Sequence, residues 1–217
     1  MSMQGEIETP CASCREPFEA PVWSFVNGGA DENLRDQVKA RELNLLLCPH
    51  CGAAFVPEVA WIYYEPAAEI LAFVFPDAWV AEEARWRGKM KEDYEQMRAA
   101  LGARLPLDMM PEVFFGQAGL AGLLEAEDWR NDERDVAVFL AGELGLSIYK
   151  ASPLWARAHG APSVLPYEGK GAPTRAALIA GMRKLVAAND RLTAWSDYLG
   201  RYEKDAGAAL PPAAKTR

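Results

Sequence analysis

The four cysteines of the chain are the residues whose type and spacing most clearly indicate chemistry. They form two Cys-x-x-Cys pairs, Cys11 with Cys14 and Cys48 with Cys51, and no cysteine is left over. The two-residue gap lets a tight turn bring both sulfurs of a pair toward one point. Two such pairs supply the four thiolates of a closed tetrahedral zinc site. The spacing therefore predicts one structural zinc ion, with no coordination position open to substrate.

The second pair carries the more specific signal, because it reads Cys48-Pro49-His50-Cys51-Gly52. Glycine permits a left-handed turn after the second cysteine, and proline stiffens the loop before it. We expect His50 to be an exposed spacer, since its neighbour already holds the metal. A redox dithiol or a pair of free buried thiols remains the alternative to zinc.

Familiar enzyme motifs are absent from the sequence, which has no Gly-rich phosphate loop, no Gly-x-Ser-x-Gly and no His-Glu-x-x-His. We therefore expect a protein without catalytic activity. One alternative is an enzyme with a divalent metal ion, because hard cations bind clustered carboxylates. The same carboxylates also suit a solvated loop and helix start. The acidic residues in question are Glu125, Glu127, Asp128, Asp132, Glu133 and Asp135.

A second alternative is nucleic-acid binding through a basic segment, Arg85 to Lys91, in which Trp86 lies among the cations. Acidic residues directly before and after this segment weaken the signal, and alternating charge is typical of a solvated helix face. The net charge of −8 also disfavours a polyanionic partner.

Composition predicts a globular protein, because half of the 217 residues are apolar and 10% are aromatic. The apolar runs are shorter than the roughly 20 residues that a membrane-spanning helix needs. The N-terminal residues lack the basic and apolar regions of a signal peptide. We therefore expect a cytoplasmic protein that does not bind membranes.

Several features in order resemble the CpXC domain family. Beyond the two cysteine pairs, they are Val22 to Asn27, Asp31-Glu32-x-Leu34, Leu43-Asn44, Tyr63-Tyr64 and Val74-Phe75-Pro76. The resemblance is strong over residues 6–77 and weak to about 150. It implies an intracellular bacterial or archaeal zinc-binding protein, but it implies no reaction.

The predicted elements of the first half surround the cysteine pairs. The 33 residues between the pairs exceed the usual gap of roughly 15 to 20, so the sequence predicts an ordered insertion. It contains a strand, a short helix capped by Asp31 and a second strand leading to Cys48. A hairpin that extends the ribbon sheet follows, and then a long helix whose apolar stripe forms core or, alternatively, a ligand groove. These elements are strands 18–26, 43–47, 55–64 and 70–75, and a stripe of Trp79, Trp86, Met90, Tyr94, Met97 and Leu101.

The second half is predicted to be mainly helical. Patterns indicate a strand at 112–115, helices at 117–127 and 132–146, a loop at 151–172 with one turn at 154–158, and one helix from the N-cap Thr174 to about Tyr202. The fold class is therefore α+β, with a zinc ribbon, a small antiparallel sheet, covering helices and a C-terminal helical extension. We divide the chain into a ribbon domain (1–150), a loop with the long helix (151–205) and a disordered tail (206–217).

The predicted function is non-catalytic. We expect a zinc-binding adaptor or accessory subunit that binds another protein or self-associates, with Trp61 and Trp155 exposed for contact.

Overall fold

The computed structural model describes residues 1–102, 104–205 and 207–214. The chain forms two compact units, Met1–Glu125 and Ala126–Arg217. Helices and a small sheet occur together with a cluster of four cysteines, which confirms the predicted α+β class. The domain boundary at residue 150 stays a prediction, since a compact unit and a sequence domain are different divisions of a chain.

The described strands of the first unit form a five-stranded sheet and a separate two-stranded sheet. In chain order they are β1 (Met3–Pro10), β2 (Pro17–Asn27), β3 (Leu46–Leu47), β4 (Ala54–Phe55), β5 (Trp61–Glu65), β6 (Ile70–Phe75) and β7 (Glu112–Phe115). The larger sheet has the order β1-β2-β5-β6-β7, and the smaller one pairs β3 with β4. Strand β1, which the sequence did not predict, forms one edge of the larger sheet.

The hairpin predicted to extend the ribbon sheet belongs to the larger sheet instead. Strands β5 and β6 are antiparallel, as predicted, with Trp61 opposite Val74. Strand β5, however, pairs in parallel with β2, and β6 in parallel with β7. The predicted strand 55–64 is divided into β4 and β5, with Pro57 in the connecting segment. Proline lacks the N–H that a continuous ladder requires.

Strand β6 is buried along its whole length because helices cover both faces of the sheet. Ile70, Ala72 and Val74 pack in one cluster with helices α1 (Glu32–Ala40) and α3 (Ala118–Glu143). The alternate residues of β6 pack in a second cluster with helix α2 (Glu83–Leu101). This alternation follows from the two-residue period of a strand.

The predicted apolar stripe is part of the core, and most of it lies on helix α2. Met90 is buried, and the other five residues of the stripe pack partly buried against the same cluster. A 3₁₀ turn over Asp77–Glu82 precedes α2, so Trp79 lies in the turn. Trp79 and Trp86 stack with ring centroids 4.0 Å apart.

The second unit contains β8 (Ser147–Lys150), α4 (Pro153–His159), β9 (Val164–Tyr167), α5 (Arg175–Ala188) and α6 (Thr193–Lys204). Strands β8 and β9 are antiparallel. Their side chains and those of α5 and α6 form one apolar core, in which the indole N–H of Trp195 donates to the carbonyl of Val164 at 2.9 Å. Trp195 lies on the buried face of α6, together with Tyr198, Leu199 and Tyr202.

Three predictions for the C-terminal half were wrong. Helices predicted at 117–127 and 132–146 are one helix, α3, because the intervening polar residues continue the helix. The helix predicted from Thr174 to Tyr202 is two, since α5 ends at its C-cap Asn189. The segment predicted as a loop with one turn at 154–158 has helix α4 at that turn, but it also contains the strand β9, which accommodates Pro166 in a two-stranded sheet.

The structure describes residues 207–214 of the tail that was predicted to be disordered, and some of these residues form backbone hydrogen bonds with the second unit. In this part, the carbonyl of Pro212 accepts a hydrogen bond from Ser152, and the amide of Ala214 donates to Lys150. Residues 206 and 215–217 of the predicted tail lie outside the described residues.

Candidate metal centre

The first cysteine pair lies in the turn between β1 and β2. We call residues 11–16 the first knuckle. The amide of Cys11 donates to the carbonyl of Glu16 at 3.0 Å, and the amide of Arg15 donates to the carbonyl of Cys11 at 3.0 Å. Arg15 has a φ of 64°, in the left-handed region. These two hydrogen bonds fold the turn so that Cys11 and Cys14 project to the same side.

The second cysteine pair lies in the turn between β3 and β4, and we call residues 48–53 the second knuckle. The amide of Cys48 donates to the carbonyl of Ala53 at 2.9 Å, and the amide of Gly52 donates to the carbonyl of Cys48 at 2.9 Å. Gly52 has a φ of 72°, as the sequence predicted. The two knuckles therefore have the same backbone hydrogen bonds at equivalent positions.

The four sulfur atoms form one cluster in which all lie within 4.8 Å of one another. The Sγ atoms of Cys11 and Cys51 are 3.7 Å apart, as are those of Cys14 and Cys48. A tetrahedral ion with metal–sulfur distances of about 2.3 Å separates its sulfur ligands by about 3.8 Å. The cysteines are free thiols. Their geometry therefore fits a four-coordinate metal ion, and these four residues could hold one.

Backbone amides support the sulfurs in both knuckles. Ser13 and Cys14 donate their N–H groups to the Sγ of Cys11 at 3.3 and 3.5 Å. In the second knuckle, His50 donates its N–H to the Sγ of Cys48 at 3.4 Å. Hydrogen bonds to sulfur favour the thiolate, which is the form that binds a metal. The turn geometry thus prepares the ligands as well as positioning them.

The two thiols of the first knuckle have opposite pKa shifts in the metal-free protein. The hydrogen bond from the amide of Cys14 lowers the pKa of Cys11 to about 6. A backbone hydrogen bond at Glu16 acts to lower the pKa of Cys14, but burial and the three neighbouring thiols raise it to about 12. Binding of a cation by all four sulfurs therefore has to release the proton of Cys14.

Two further contacts hold the knuckles together, and the sequence did not predict either. Asn44 accepts a hydrogen bond from the amide of Trp23 at 2.7 Å and donates to its carbonyl at 3.0 Å, so it ties the segment before β3 to β2. The rings of Phe18 and Phe55 meet edge to face with centroids 6.1 Å apart. The sequence signal that was available is the residue type, because asparagine is enriched at positive φ, and Asn44 has a φ of 60°.

Three basic residues of the segment 85–91 form ion pairs with acidic residues three or four positions away in the chain. Arg85 pairs with Glu82 at 2.5 Å, Arg87 with Glu83 at 2.5 Å, and Lys89 with Asp93. These ion pairs at helical spacing match the alternating charge that the sequence showed. They leave a face with little excess positive charge.

The predicted acidic cluster is spread around α3 and does not converge. Glu127 is buried and pairs with Arg130 at 2.5 Å and with Arg157 at 3.8 Å. Asp135 pairs with Arg134 at 2.9 Å. Over the described ranges, the four cysteines are the one group of three or more potential ligands that lies close enough to hold a metal ion.

Neither Trp61 nor Trp155, the two tryptophans expected to be exposed, is fully exposed. Trp61 is buried at 5% exposure, so that expectation was wrong, because β5 lies inside the five-stranded sheet. Trp155 is half-buried and stacks on His159 with centroids 4.4 Å apart. His50 is exposed, as predicted.

Membrane insertion finds no support in the helices. In the part of the chain that the structure describes, none of them is both long enough and apolar enough to cross a bilayer.

Comparison with known proteins identifies the family. No curated protein and no solved structure matches the chain. A family model described as CpXC protein matches residues 9–126, which include both knuckles and more than half of the chain. The match ends where the first compact unit ends. The cysteine cluster and the family match agree, and the chain belongs to the CpXC protein family.

Proposed function

We propose that this CpXC protein binds one Zn²⁺ through Cys11, Cys14, Cys48 and Cys51, and that it acts without catalysis as a protein-interaction adaptor or accessory subunit. The observation that carries the zinc proposal is the sulfur cluster, whose 3.7 Å separations match the edges of a tetrahedral site. Four thiolates in this geometry are typical of zinc or iron. Zinc is favoured because it is the usual structural ion of paired Cys-x-x-Cys motifs.

A structural role follows from the ligand count. Four sulfur ligands complete a tetrahedral coordination sphere, so no position is open to a water molecule or a substrate. The alternative of a carboxylate-bound catalytic metal receives no support from Glu127, which is buried against Arg130 and Arg157. An ion held by all four cysteines would connect the β1–β2 hairpin with the β3–β4 hairpin.

The interaction proposal is supported by apolar surface on the ribbon itself. Leu45, Leu47 and Val56 are exposed on the outward face of the β3–β4 hairpin, and Leu47 is 70% exposed. Leu46 pairs with Phe55 in the ladder, so the exposed residues alternate with those that face inward. Exposed apolar residues clustered on a small module are typical of a protein contact.

The alternative of nucleic-acid binding is weaker because of charge. The three ion pairs of Arg85, Arg87 and Lys89 neutralise most of the proposed patch. Each cation that contacts a phosphate contributes to salt-dependent affinity, and paired cations contribute less. Absence of a salt-sensitive shift with duplex DNA or RNA is the expected result.

The metal proposal is tested by elemental analysis of the purified protein, with light scattering on the same sample. One zinc per chain is the expected result, and a mass above one subunit would favour self-association. Iron in place of zinc would overturn the choice of ion. Free or oxidised thiols that do not take up added zinc would overturn the structural site and favour the redox alternative.

A further inference from the structure

Helix α3 exposes large apolar side chains on one face of the second unit. Trp129 is 73% exposed, Phe139 is 68% exposed and Val136 is 46% exposed. They follow one another at helical steps of seven and three, which place them on the same side of the helix. The small residues Ala137 and Ala141 are buried instead. In the part of the helix that belongs to the second unit, Ala137 and Ala141 are therefore buried while Trp129, Val136 and Phe139 face solvent.

No packing role in the described chain accounts for these side chains. Ala137 belongs to the apolar core of the second unit, whereas Trp129 and Phe139 lie outside it. Isolated exposed apolar residues are common on protein surfaces, but Trp and Phe are both enriched in protein interfaces, and here they are aligned on one face. This pattern indicates a contact surface.

The same face carries negative charge. Asp132 and Glu143 are exposed and continue the spacing of the apolar residues, so the face has the order Trp129, Asp132, Val136, Phe139, Glu143. We call this set the α3 face. The nearest cations of the helix are paired, Arg130 with Glu127 and Arg134 with Asp135. The α3 face is therefore apolar and acidic.

We propose that the α3 face binds a basic amphipathic helix of a partner protein. Apolar residues of such a helix would cover Trp129, Val136 and Phe139, and its Lys or Arg residues would pair with Asp132 and Glu143. The inference rests on the proposed interaction function and names the partner chemistry. Charge complementarity selects this partner over a second copy, because two acidic faces repel. It likewise disfavours a surface of anionic lipids.

The test uses the full zinc-loaded chain and a leucine–lysine peptide of about 18 residues, long enough to be helical. Its apolar residues repeat with the helical period, and a scrambled peptide of the same composition is the control. Calorimetry at low salt should detect binding of the periodic peptide and no binding of the scrambled peptide. No binding of the periodic peptide, or equal binding of the scrambled one, would overturn the proposal.

Substitutions locate the binding. The double variant Trp129→Ala with Phe139→Ala should weaken binding at least about tenfold, as expected for central interface residues. Asp132→Asn with Glu143→Gln should weaken it and reduce its dependence on salt. The matched control is Val138→Ala, since Val138 is 41% exposed but lies off the α3 face. If neither double variant changes the affinity for the peptide, the peptide does not bind at the α3 face and the proposal is overturned.

Two further readouts separate this proposal from the others. Zinc content and circular dichroism of each variant should equal those of the parent, because Cys11 to Cys51 lie in the first unit and the substitutions in the second. If the parent chain forms a dimer and the Trp129→Ala, Phe139→Ala variant does not, the α3 face binds a second copy of the chain and the proposal of a basic partner is overturned. Loss of zinc binding with peptide binding retained would overturn the metal proposal alone.

Discussion

The first and second knuckles have the same backbone hydrogen bonds, but different residues and different strands support them. In the first, Arg15 takes the left-handed position after the second cysteine, and in the second Gly52 takes it. The first knuckle closes an eight-residue ladder between β1 and β2, whereas the second closes a ladder of two residue pairs. A turn on a long ladder accommodates a strained residue more easily than one on a short ladder.

The comparison indicates where a bound metal contributes most. A short two-stranded hairpin is marginally stable in water without further packing. The β1–β2 hairpin continues into the five-stranded sheet, so its backbone is held independently of the metal. The β3–β4 hairpin and the segment before it are attached to the rest of the first unit by the hydrogen bonds of Asn44 with Trp23, the hydrogen bond of Gln117 to the carbonyl of Leu43, and the Phe18–Phe55 contact. We therefore expect the second knuckle to depend more on the metal.

Loss of a ligand should have the largest effect. Cys11→Ser and Cys48→Ser should each lower zinc affinity more than ~100-fold, beyond the loss typical of an outer-shell partner. Competition with a chromophoric chelator measures the affinity. In chelated parent protein, hydrogen exchange should speed up more at the amides of Cys48 and Gly52 than at those of Cys11 and Arg15. Equal changes in the two knuckles would contradict the comparison.

Gly52→Ala should have the next largest effect. A side chain at a φ of 72° costs about 1–2 kcal/mol, and the added Cβ meets no other atom, so the cost is conformational. Urea unfolding of the zinc-loaded protein measures it. Gly88→Ala is the matched control, because its Cβ also meets no atom and α2 tolerates alanine. An unchanged midpoint for Gly52→Ala would show that the turn does not need glycine.

The contact between Phe18 and Phe55 should contribute about 0.5–1.5 kcal/mol beyond the burial of the two rings, as edge-to-face pairs do. A double-mutant cycle with Phe18→Leu and Phe55→Leu measures this coupling free energy. We expect the coupling to be larger in chelated protein, where the metal no longer joins the hairpins. A coupling free energy of zero in both states would mean that the Phe18–Phe55 contact does not help to attach the β3–β4 hairpin.

Arg15→Gly should stabilise the first knuckle slightly. Glycine removes the strain of a left-handed φ, but its greater freedom in the unfolded chain offsets part of the gain, so we expect less than about 1 kcal/mol. Urea unfolding measures the gain. A destabilised variant would mean that the arginine side chain makes a contribution of its own in this turn.

The stability of the metal-free protein should pass through a maximum as the pH changes, because the pKa values of two thiols are shifted in opposite directions. Cys11 has its pKa lowered from 9.0 to about 6, so its contribution to stability is present above pH 9 and is lost as pH falls toward 6. Cys14 has its pKa raised to about 12, so its contribution is lost as pH rises from 9 to 12. The urea midpoint should therefore peak near pH 9. A monotonic change between pH 6 and 10 would contradict this.

The sequence was sufficient to predict the parts of the fold that local patterns determine. The four cysteines, the N-cap Asp31 and the strand Glu112–Phe115 were found where the spacing indicated. The stripe of α2 was correctly interpreted as core. The cap, the strand and the stripe depend on residues that are close together in the chain, whereas the cysteine cluster was predictable because paired Cys-x-x-Cys motifs typically share one metal ion.

The parts that were missed depend on tertiary context. Strand β1 is mostly exposed, so its sequence lacks an apolar alternation that would indicate a strand. The parallel pairing of β2 with β5 joins residues that are far apart in sequence. Arg15 was missed because arginine seldom has a positive φ, and only the hydrogen bonds of the knuckle impose it.

The edge position of β1 has a consequence for how chains behave at high concentration. An exposed edge has unpaired backbone groups that can recruit the edge of another molecule and start a growing sheet. Strand β1 carries Glu6 and Glu8 on this edge, and Glu8 lies opposite Glu19 of β2. Two such edges placed side by side would bring several carboxylates together. Repulsion between them should keep the strands of separate molecules from joining, even where the edge is otherwise open.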